Sequence, residues 1–161
     1  MKGIDIKTTG QFLAEYGKFS YKEVGGGRIL VDTKWIASNM VTRNFPVIGA
    51  HTVHARCVDD ITRIMIIIES ITRASLLPIV HWDGCWVPRH KGWSSKRGLS
   101  LHSWGCAIDL NARTNCMGTP GNQDMRIVEA FEEVGWFWGG RWSKRNCDPM
   151  HFQRAGGHVI F

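Results

Sequence analysis

The chain has 161 residues, enough for one domain that buries about two-thirds of its unfolded surface. The 20 Lys and Arg exceed the 14 Asp and Glu, and a net charge of +6 suits an anionic polymer, a nucleic acid or an anionic lipid as partner. The five cysteines form no Cys-x-x-Cys pair, which excludes a cysteine zinc ribbon and indicates no disulfide framework. No apolar run is long enough to span a bilayer, and residues 1–5 open no apolar run of the kind that a signal peptide requires.

Residues 1–50 carry no motif with a recognisable function. A short strand is predicted over 28–31, and a helical turn or more over 34–40. The glycines at 25–27 predict a turn. They lack the preceding strand and the following helix with Lys-Ser/Thr that a phosphate-binding loop requires, which argues against a nucleotide site.

A long core helix is predicted over 52–74, ended by Leu77 and Pro78. A strand over 79–87 and a mobile loop over 91–98 follow. Asp124 is predicted to cap a second helix, which Gly135 ends. The apolar residues that repeat at helical spacing in the first helix are Val58, Ile61, Ile64, Met65, Ile68 and Ile71.

A short strand is predicted over 106–110. Side chains alternate along a strand, so Asp109 points away from the apolar face of Ile108 and Leu110. His102 lies seven residues before Asp109, an odd separation that puts the two on opposite faces of a continuous strand. They converge only if the chain turns between them, and Gly105 is the residue best suited to that turn.

Catalytic zinc takes three protein ligands and keeps a position for water. His102 and Asp109, joined by His151 from the C-terminal part of the chain, form such a set of nitrogen and oxygen ligands. Asp148 lies three residues before His151 and can take a proton from that water as a general base. Cys147 is a less favoured alternative ligand.

The pattern Ser-x-His-x-x-Gly-x-Ala-x-Asp, followed late in the chain by Asp-x-x-His, resembles the zinc peptidases of peptidoglycan. These are the VanY-like D-alanyl-D-alanine carboxypeptidases and the phage L-alanyl-D-glutamate endopeptidases. The resemblance covers roughly 84–152. The residues that carry it are Ser100, His102, Gly105, Ala107, Asp109, Asp148 and His151.

The resemblance implies zinc on the two histidines and the aspartate, with Asp148 as base. It also implies an arginine that engages the substrate carboxylate or the developing oxyanion, and Arg89 is assigned that role, with Arg97 as a rival. Ser100 is a further candidate for substrate binding, and it either contacts the substrate or fixes the loop. Trp138 is another candidate: like Trp142, it either packs in the core or forms a wall of the substrate groove.

The expected fold is a small α+β domain over residues 1–161. A central antiparallel sheet carries the zinc site, residues 84–153 form the core of that site, and helices pack on one side of the sheet. Residues 1–50 are its N-terminal portion, with no assigned role.

The predicted function is zinc-dependent hydrolysis of an amide bond in peptidoglycan stem peptides, and an endolysin of the L-alanyl-D-glutamate type is favoured. The alternatives are a D-alanyl-D-alanine carboxypeptidase and a non-catalytic, zinc-containing wall-binding module. We expect a monomer, made in the host cytoplasm without a signal peptide, that acts on the cell wall and has no nucleic-acid partner and no stable membrane association.

Overall fold

The computed structural model describes residues 7–75, 80–143 and 145–154. Four α-helices and eight β-strands lie within these ranges. The helices are α1 (Thr9–Tyr16), α2 (Thr33–Asn39), α3 (Val58–Ser75) and α4 (Met125–Glu133). The strands are β1 (Tyr21–Gly25), β2 (Arg28–Val31), β3 (Met40–Phe45), β4 (Gly49–His54), β5 (Trp82–Gly84), β6 (Ala107–Leu110), β7 (Phe137–Trp138) and β8 (His151–Gln153).

All the strand pairs in these ranges are antiparallel. Strands β1 and β2 form one hairpin, β3 and β4 form another, and a four-stranded sheet has the order β5-β6-β8-β7. The predicted α+β class with a central antiparallel sheet is confirmed. Within the described residues, no helix is both long and apolar enough to cross a membrane.

One face of the four-stranded sheet is part of the hydrophobic core. Ile108 of β6 lies opposite Phe152 of β8, and both are fully buried. Phe131 of α4 stacks on Phe152 with ring centroids 4.0 Å apart, and α3 packs against α4. The helices therefore cover the apolar face, which leaves the opposite face for polar residues.

Several sequence predictions of individual elements are confirmed. Strand β2 and helix α2 form where they were expected, and Asp124 caps α4 by accepting a hydrogen bond from the backbone N–H of Arg126 (2.9 Å). The long helix was predicted to start too early. Residues 52–54 belong to β4, where Thr52 pairs with Thr42 of β3, and the helix begins at Val58. Its predicted end at Leu77 and Pro78 lies outside the described residues.

The N-terminal part supports the segment that carries His102. Phe12 of α1 is fully buried and meets the ring of Trp104 edge-on, with centroids 5.6 Å apart. The indole N–H of Trp104 donates to the carbonyl oxygen of Gly17 (2.8 Å). Residues 9–17, which the sequence analysis left without an element, are thus part of the same core.

Gly105 makes the predicted turn between His102 and Asp109. It adopts a left-handed conformation (φ 64°) after a 3-10 helix over Leu101–Trp104. A Cβ added here would lie 2.6 Å from Cε of Met40 and 2.9 Å from the backbone nitrogen of His54. Glycine is therefore required for both its conformation and its lack of a side chain.

Substitution of Gly105 tests this requirement. We expect Gly105→Ala to lower the free energy of unfolding by about 3 kcal/mol, from the left-handed backbone and the overlap together. Gly26→Ala is the matched control, because Gly26 has a similar φ of 59° and no atom of the described residues lies within 4 Å of an added Cβ. It should lose only about 1 kcal/mol. Equal losses in urea denaturation would contradict the steric argument.

Candidate metal centre

Asp109 and His151 are brought together by strand pairing. The two residues lie directly opposite each other in the β6–β8 ladder, so their side chains project from the same face. Oδ1 of Asp109 lies 3.0 Å from Nδ1 of His151. A contact between residues far apart in sequence therefore follows from the register of a single antiparallel pair.

His102 joins them from the 3-10 helix that precedes Gly105. Its ring is almost fully buried, and its Nε2 lies 3.2 Å from Nδ1 of His151 and 3.3 Å from Oδ2 of Asp109. Donor atoms of the three residues all lie within 4.8 Å of one another. The structure thus brings together the three residues that the sequence analysis selected.

Hydrogen bonds outside the cluster orient both imidazoles. Nδ1–H of His102 donates to the carbonyl oxygen of Cys85 (2.8 Å), so its Nε2 lone pair faces the cluster. Nε2–H of His151 donates to the amide oxygen of Gln153 (3.1 Å), so its Nδ1 lone pair faces the cluster. Two ring lone pairs and a carboxylate therefore converge, and such a set of acceptors suits a cation.

The electrostatics of the cluster favour the same arrangement. Burial lowers the pKa of His102, while the charge and hydrogen bond of Asp109 oppose the shift. Burial alone would raise the pKa of Asp109, but the charges and hydrogen bonds of both histidines hold it well below its usual range. Burial opposes a charge on His151, yet the hydrogen bond and charge of Asp109, with the charge of Asp148, raise its pKa. The carboxylate thus favours a positive charge between itself and the rings.

The separations also fit a metal ion. Zinc holds nitrogen and oxygen ligands at about 2.0–2.2 Å in a tetrahedron, which places neighbouring ligand atoms about 3.3–3.6 Å apart. Nδ1 of His151 lies 3.0 Å from Oδ1 of Asp109, Nε2 of His102 lies 3.3 Å from Oδ2 of the same carboxylate, and the two ring nitrogens lie 3.2 Å apart. The cluster of His102, Asp109 and His151 could therefore hold a metal ion, with three ligands contributed by the chain.

Asp148 lies beside this cluster and lines the same cavity. Its Oδ1 is buried and has no hydrogen-bond partner among the residues that the structure describes. Burial raises the pKa of this carboxyl, as does the charge of Asp109, while the charges of His151 and Arg89 oppose the shift. A buried carboxylate oxygen without a partner is costly unless a ligand or water completes it. The position suits a group that exchanges a proton with a bound molecule.

Arg89 is held toward the cavity by two serines. Ser103 accepts from the backbone N–H of Arg89 (2.9 Å) and donates to its carbonyl oxygen (2.9 Å). Nη1–H of Arg89 donates to Oγ of Ser100 (3.0 Å), and Oγ of Ser100 also accepts from the backbone N–H of His102 (3.4 Å). Ser100 thus fixes both the loop and the guanidinium, and burial lowers the pKa of Arg89.

The cavity beside the cluster has a volume of about 350 Å³. Arg89, Ser100 and Asp148 line it together with the three cluster residues. Trp142 also lines it, with its ring centroid 5.5 Å from that of His151. Trp138 is not part of the lining. Its indole N–H donates to the carbonyl oxygen of Pro149 (2.8 Å), which steadies the turn between Asp148 and His151.

Sequence reasoning missed several supporting residues. Gln153 orients His151. The sequence could have indicated this role, because Gln153 lies two residues after His151 and therefore on the same face of the strand. Gly139 has no local signal: its carbonyl oxygen accepts from the backbone N–H of Asp148 (3.1 Å). A Cβ on Gly139 would lie 2.6 Å from the carbonyl oxygen of Asp148. Cys147 lies outside the cluster, with its sulfur 3.6 Å from the carbonyl oxygen of Gly140.

Gln153 provides a test of the orienting hydrogen bond. We expect Gln153→Ala to weaken metal binding about 10- to 100-fold, because His151 loses the acceptor that holds its ring. Gln153→Glu, which keeps an acceptor at the same position, should retain the affinity. Competition with a chromophoric chelator measures both, and equal affinities for the two variants would contradict the assigned ring orientation.

Comparison with known proteins gives one match. The model of a family of M15 peptidases described as D-alanyl-D-alanine carboxypeptidase matches residues 93–154, which is less than half of the chain. No curated protein and no solved structure gave a match. The matched segment contains His102, Asp109, Asp148 and His151, and it confirms the resemblance to this peptidase family that the two motifs predicted.

Proposed function

We propose that the protein is a zinc-dependent peptidase that hydrolyses an amide bond in peptidoglycan stem peptides. The observation that carries this proposal is the convergence of His102, Asp109 and His151 in a cavity that Asp148 also lines, within the segment matched by the peptidase family. A non-catalytic wall-binding module would have no need for a carboxylate at the position of Asp148.

Zinc is the metal we assign to the cluster. Two imidazole nitrogens and one carboxylate oxygen are typical ligands of catalytic zinc, and three protein ligands are the usual number in such sites. A zinc ion bound there would act as a Lewis acid toward the amide carbonyl and would acidify a water molecule. The side chains of the chain perform the remaining steps.

Asp148 is the proposed general base. Its Oδ1, which has no partner in the described ranges, can accept a proton from the attacking water, and its raised pKa stabilises the protonated carboxyl until that proton passes to the leaving amine. Arg89 is the proposed oxyanion partner, because its guanidinium lines the cavity and its position is fixed by Ser100 and Ser103. The carboxyl of Asp148 thus acts first as a base when water attacks and then as an acid when the amine leaves.

We propose an endopeptidase of the L-alanyl-D-glutamate type, as in an endolysin. An endopeptidase needs room on both sides of the cleaved bond. The lining of the cavity includes Trp93 and Arg97 from the loop over 90–98 and also Met117 and Asn146 from other parts of the chain. The proposed partner is the stem peptide, the proposed state is a monomer, and the proposed site of action is the bacterial cell wall.

A D-alanyl-D-alanine carboxypeptidase is the second candidate. The description of the matched family favours it, and so does Arg89, which could bind a terminal carboxylate instead of an oxyanion. The two activities share the chemistry of the cluster and differ in the group that leaves.

Digestion of muropeptides distinguishes these activities. Purified protein is incubated with defined muropeptides and zinc, with and without a chelator, and the fragments are identified by mass spectrometry. We expect chelator-sensitive cleavage between L-Ala and D-Glu. Release of a single D-Ala would favour the carboxypeptidase, and intact muropeptides in the presence of zinc would overturn the peptidase proposal.

Asp148→Asn separates the base from the metal site. We expect kcat to fall about 10²- to 10⁴-fold, since the amide cannot accept the proton, while the protein still binds one zinc ion. His102→Ala is the comparison, and it should lose zinc together with activity. Metal content by mass spectrometry and turnover of a stem peptide are the two measurements. Loss of zinc from Asp148→Asn would assign Asp148 to the ligand set instead.

A further inference from the structure

The loop over 90–98, which forms one wall of the cavity, is closed by its own hydrogen bonds. The backbone N–H of Lys91 donates to the carbonyl oxygen of Gly98 (2.9 Å). The backbone N–H of Arg97 donates to the carbonyl oxygen of Ser94 (2.9 Å). The ring of His90 at the base is buried, and its Nδ1 lies 2.5 Å from the carbonyl oxygen of Arg97. The sequence analysis expected a mobile loop, but the hydrogen bonds give this segment a defined conformation.

The β1–β2 hairpin holds this loop from the outside. Nε2 of His90 lies 2.7 Å from Oε1 of Glu23, so both ring nitrogens face acceptors and the ring can donate from both as an imidazolium. The backbone N–H of His90 donates to the carbonyl oxygen of Gly27 (2.8 Å). A Cβ on Gly27 would lie 2.3 Å from the backbone carbon of Trp93. The N-terminal hairpin is therefore part of the wall of the cavity.

Trp93 stands at the mouth of the cavity. Its side chain is half-exposed, at 49%, and its backbone has the uncommon φ of 57° for a residue with a side chain. The guanidinium carbons of Arg28 and Arg89 lie 5.7 and 5.1 Å from the centroid of its ring. Two cations thus contact one exposed indole, which fixes its position beside Arg89.

Arg97 is a cation without an acidic partner among the described residues. It lines the cavity, and its Nη1 would lie 3.0 Å from a Cβ added to Gly92, so the guanidinium rests over that glycine. No carboxylate in the described ranges lies within 4.0 Å of it, although other exposed arginines of the chain, such as Arg126 and Arg141, are paired with acids. An arginine that lines a cavity and whose guanidinium has no acidic partner in the described ranges is suited to bind a carboxylate of a ligand.

We propose that Arg97 and Trp93 form a second subsite, which binds a carboxylate of an acidic peptide other than the group at the cleaved bond. This inference rests on the proposed function, since it assumes that a peptide occupies the cavity. Arg97 binds the carboxylate of the acidic peptide residue, and the exposed indole of Trp93 packs against the apolar part of that peptide residue. The hairpin, through Glu23 and Gly27, keeps the subsite in place. Residues 21–31 thereby acquire a role in substrate selection.

The test pairs two peptides with two variants. One stem peptide carries a free carboxylate away from the cleaved bond. The other is the same peptide with that carboxylate converted to an amide. For Arg97→Gln we expect KM for the acidic peptide to rise about tenfold with kcat within twofold, and KM for the amidated peptide to remain unchanged. Arg97→Lys should give an intermediate KM, because lysine keeps the positive charge but cannot form the paired hydrogen bonds of a guanidinium.

Lys96→Gln is the matched control. It removes the same charge from the same loop, and Lys96 is exposed and does not line the cavity. We expect this variant to behave as the unaltered protein with both peptides. A similar rise in KM for Lys96→Gln and Arg97→Gln, or for both peptides, would show general electrostatic attraction and would overturn the subsite.

A binding measurement separates this inference from the proposed function. If the unaltered protein cleaves neither peptide, the peptidase proposal fails, and calorimetry with the uncleaved peptides still decides on the subsite. Tighter binding of the acidic peptide that is lost in Arg97→Gln supports it. Equal affinities of the two peptides for the unaltered protein would overturn it.

Discussion

The site depends on one cross-strand pair, Asp109 opposite His151. Antiparallel pairing places directly opposed side chains about 5 Å apart on one face of the sheet, which is within reach of a shared cation. The apolar neighbours Ile108 and Phe152 form the next pair in the same register and point to the other face. A shift of one residue would bury the acid and expose the core, so burial of the apolar pair also specifies the geometry of the site.

The orientation of the cluster depends on hydrogen-bond acceptors that lie outside its three residues. The carbonyl oxygen of Cys85 and the amide oxygen of Gln153 each take the outer N–H of a histidine, and this leaves the inner nitrogens as acceptors. Such contacts decide which nitrogen of an imidazole can bind a metal. Gln153 belongs to β8 and Cys85 directly follows β5, the two strands on either side of β6, so the sheet positions the ligands and also the groups that orient them.

The N-terminal part of the chain supports the site in two ways. Helix α1 packs on the indole of Trp104, in the segment that carries His102. The β1–β2 hairpin contacts the loop over 90–98 through Gly27 and Glu23. The family match begins at residue 93, so these supports lie outside the matched segment. The matched segment thus contains the cluster, and the N-terminal part of the chain contains elements that support it.

The sequence by itself determined the residues that converge in the cluster. Alternation along residues 106–110 separated Asp109 from the apolar face, Gly105 marked the turn, and the two motifs identified the histidines. Local patterns suffice here because they depend on strand periodicity and on the conformational freedom of glycine. Helix α4 and its cap at Asp124 were predictable for the same reason.

Only the tertiary structure decided the residues that surround the cluster. The ring of Trp142 lines the cavity and that of Trp138 does not, although the two lie four residues apart in an aromatic segment. The start of α3 depended on whether residues 52–54 paired with β3, and the roles of Gln153, Ser103 and Gly139 depended on contacts with distant backbone groups. These features come from register and long-range packing, which no local pattern of residues encodes.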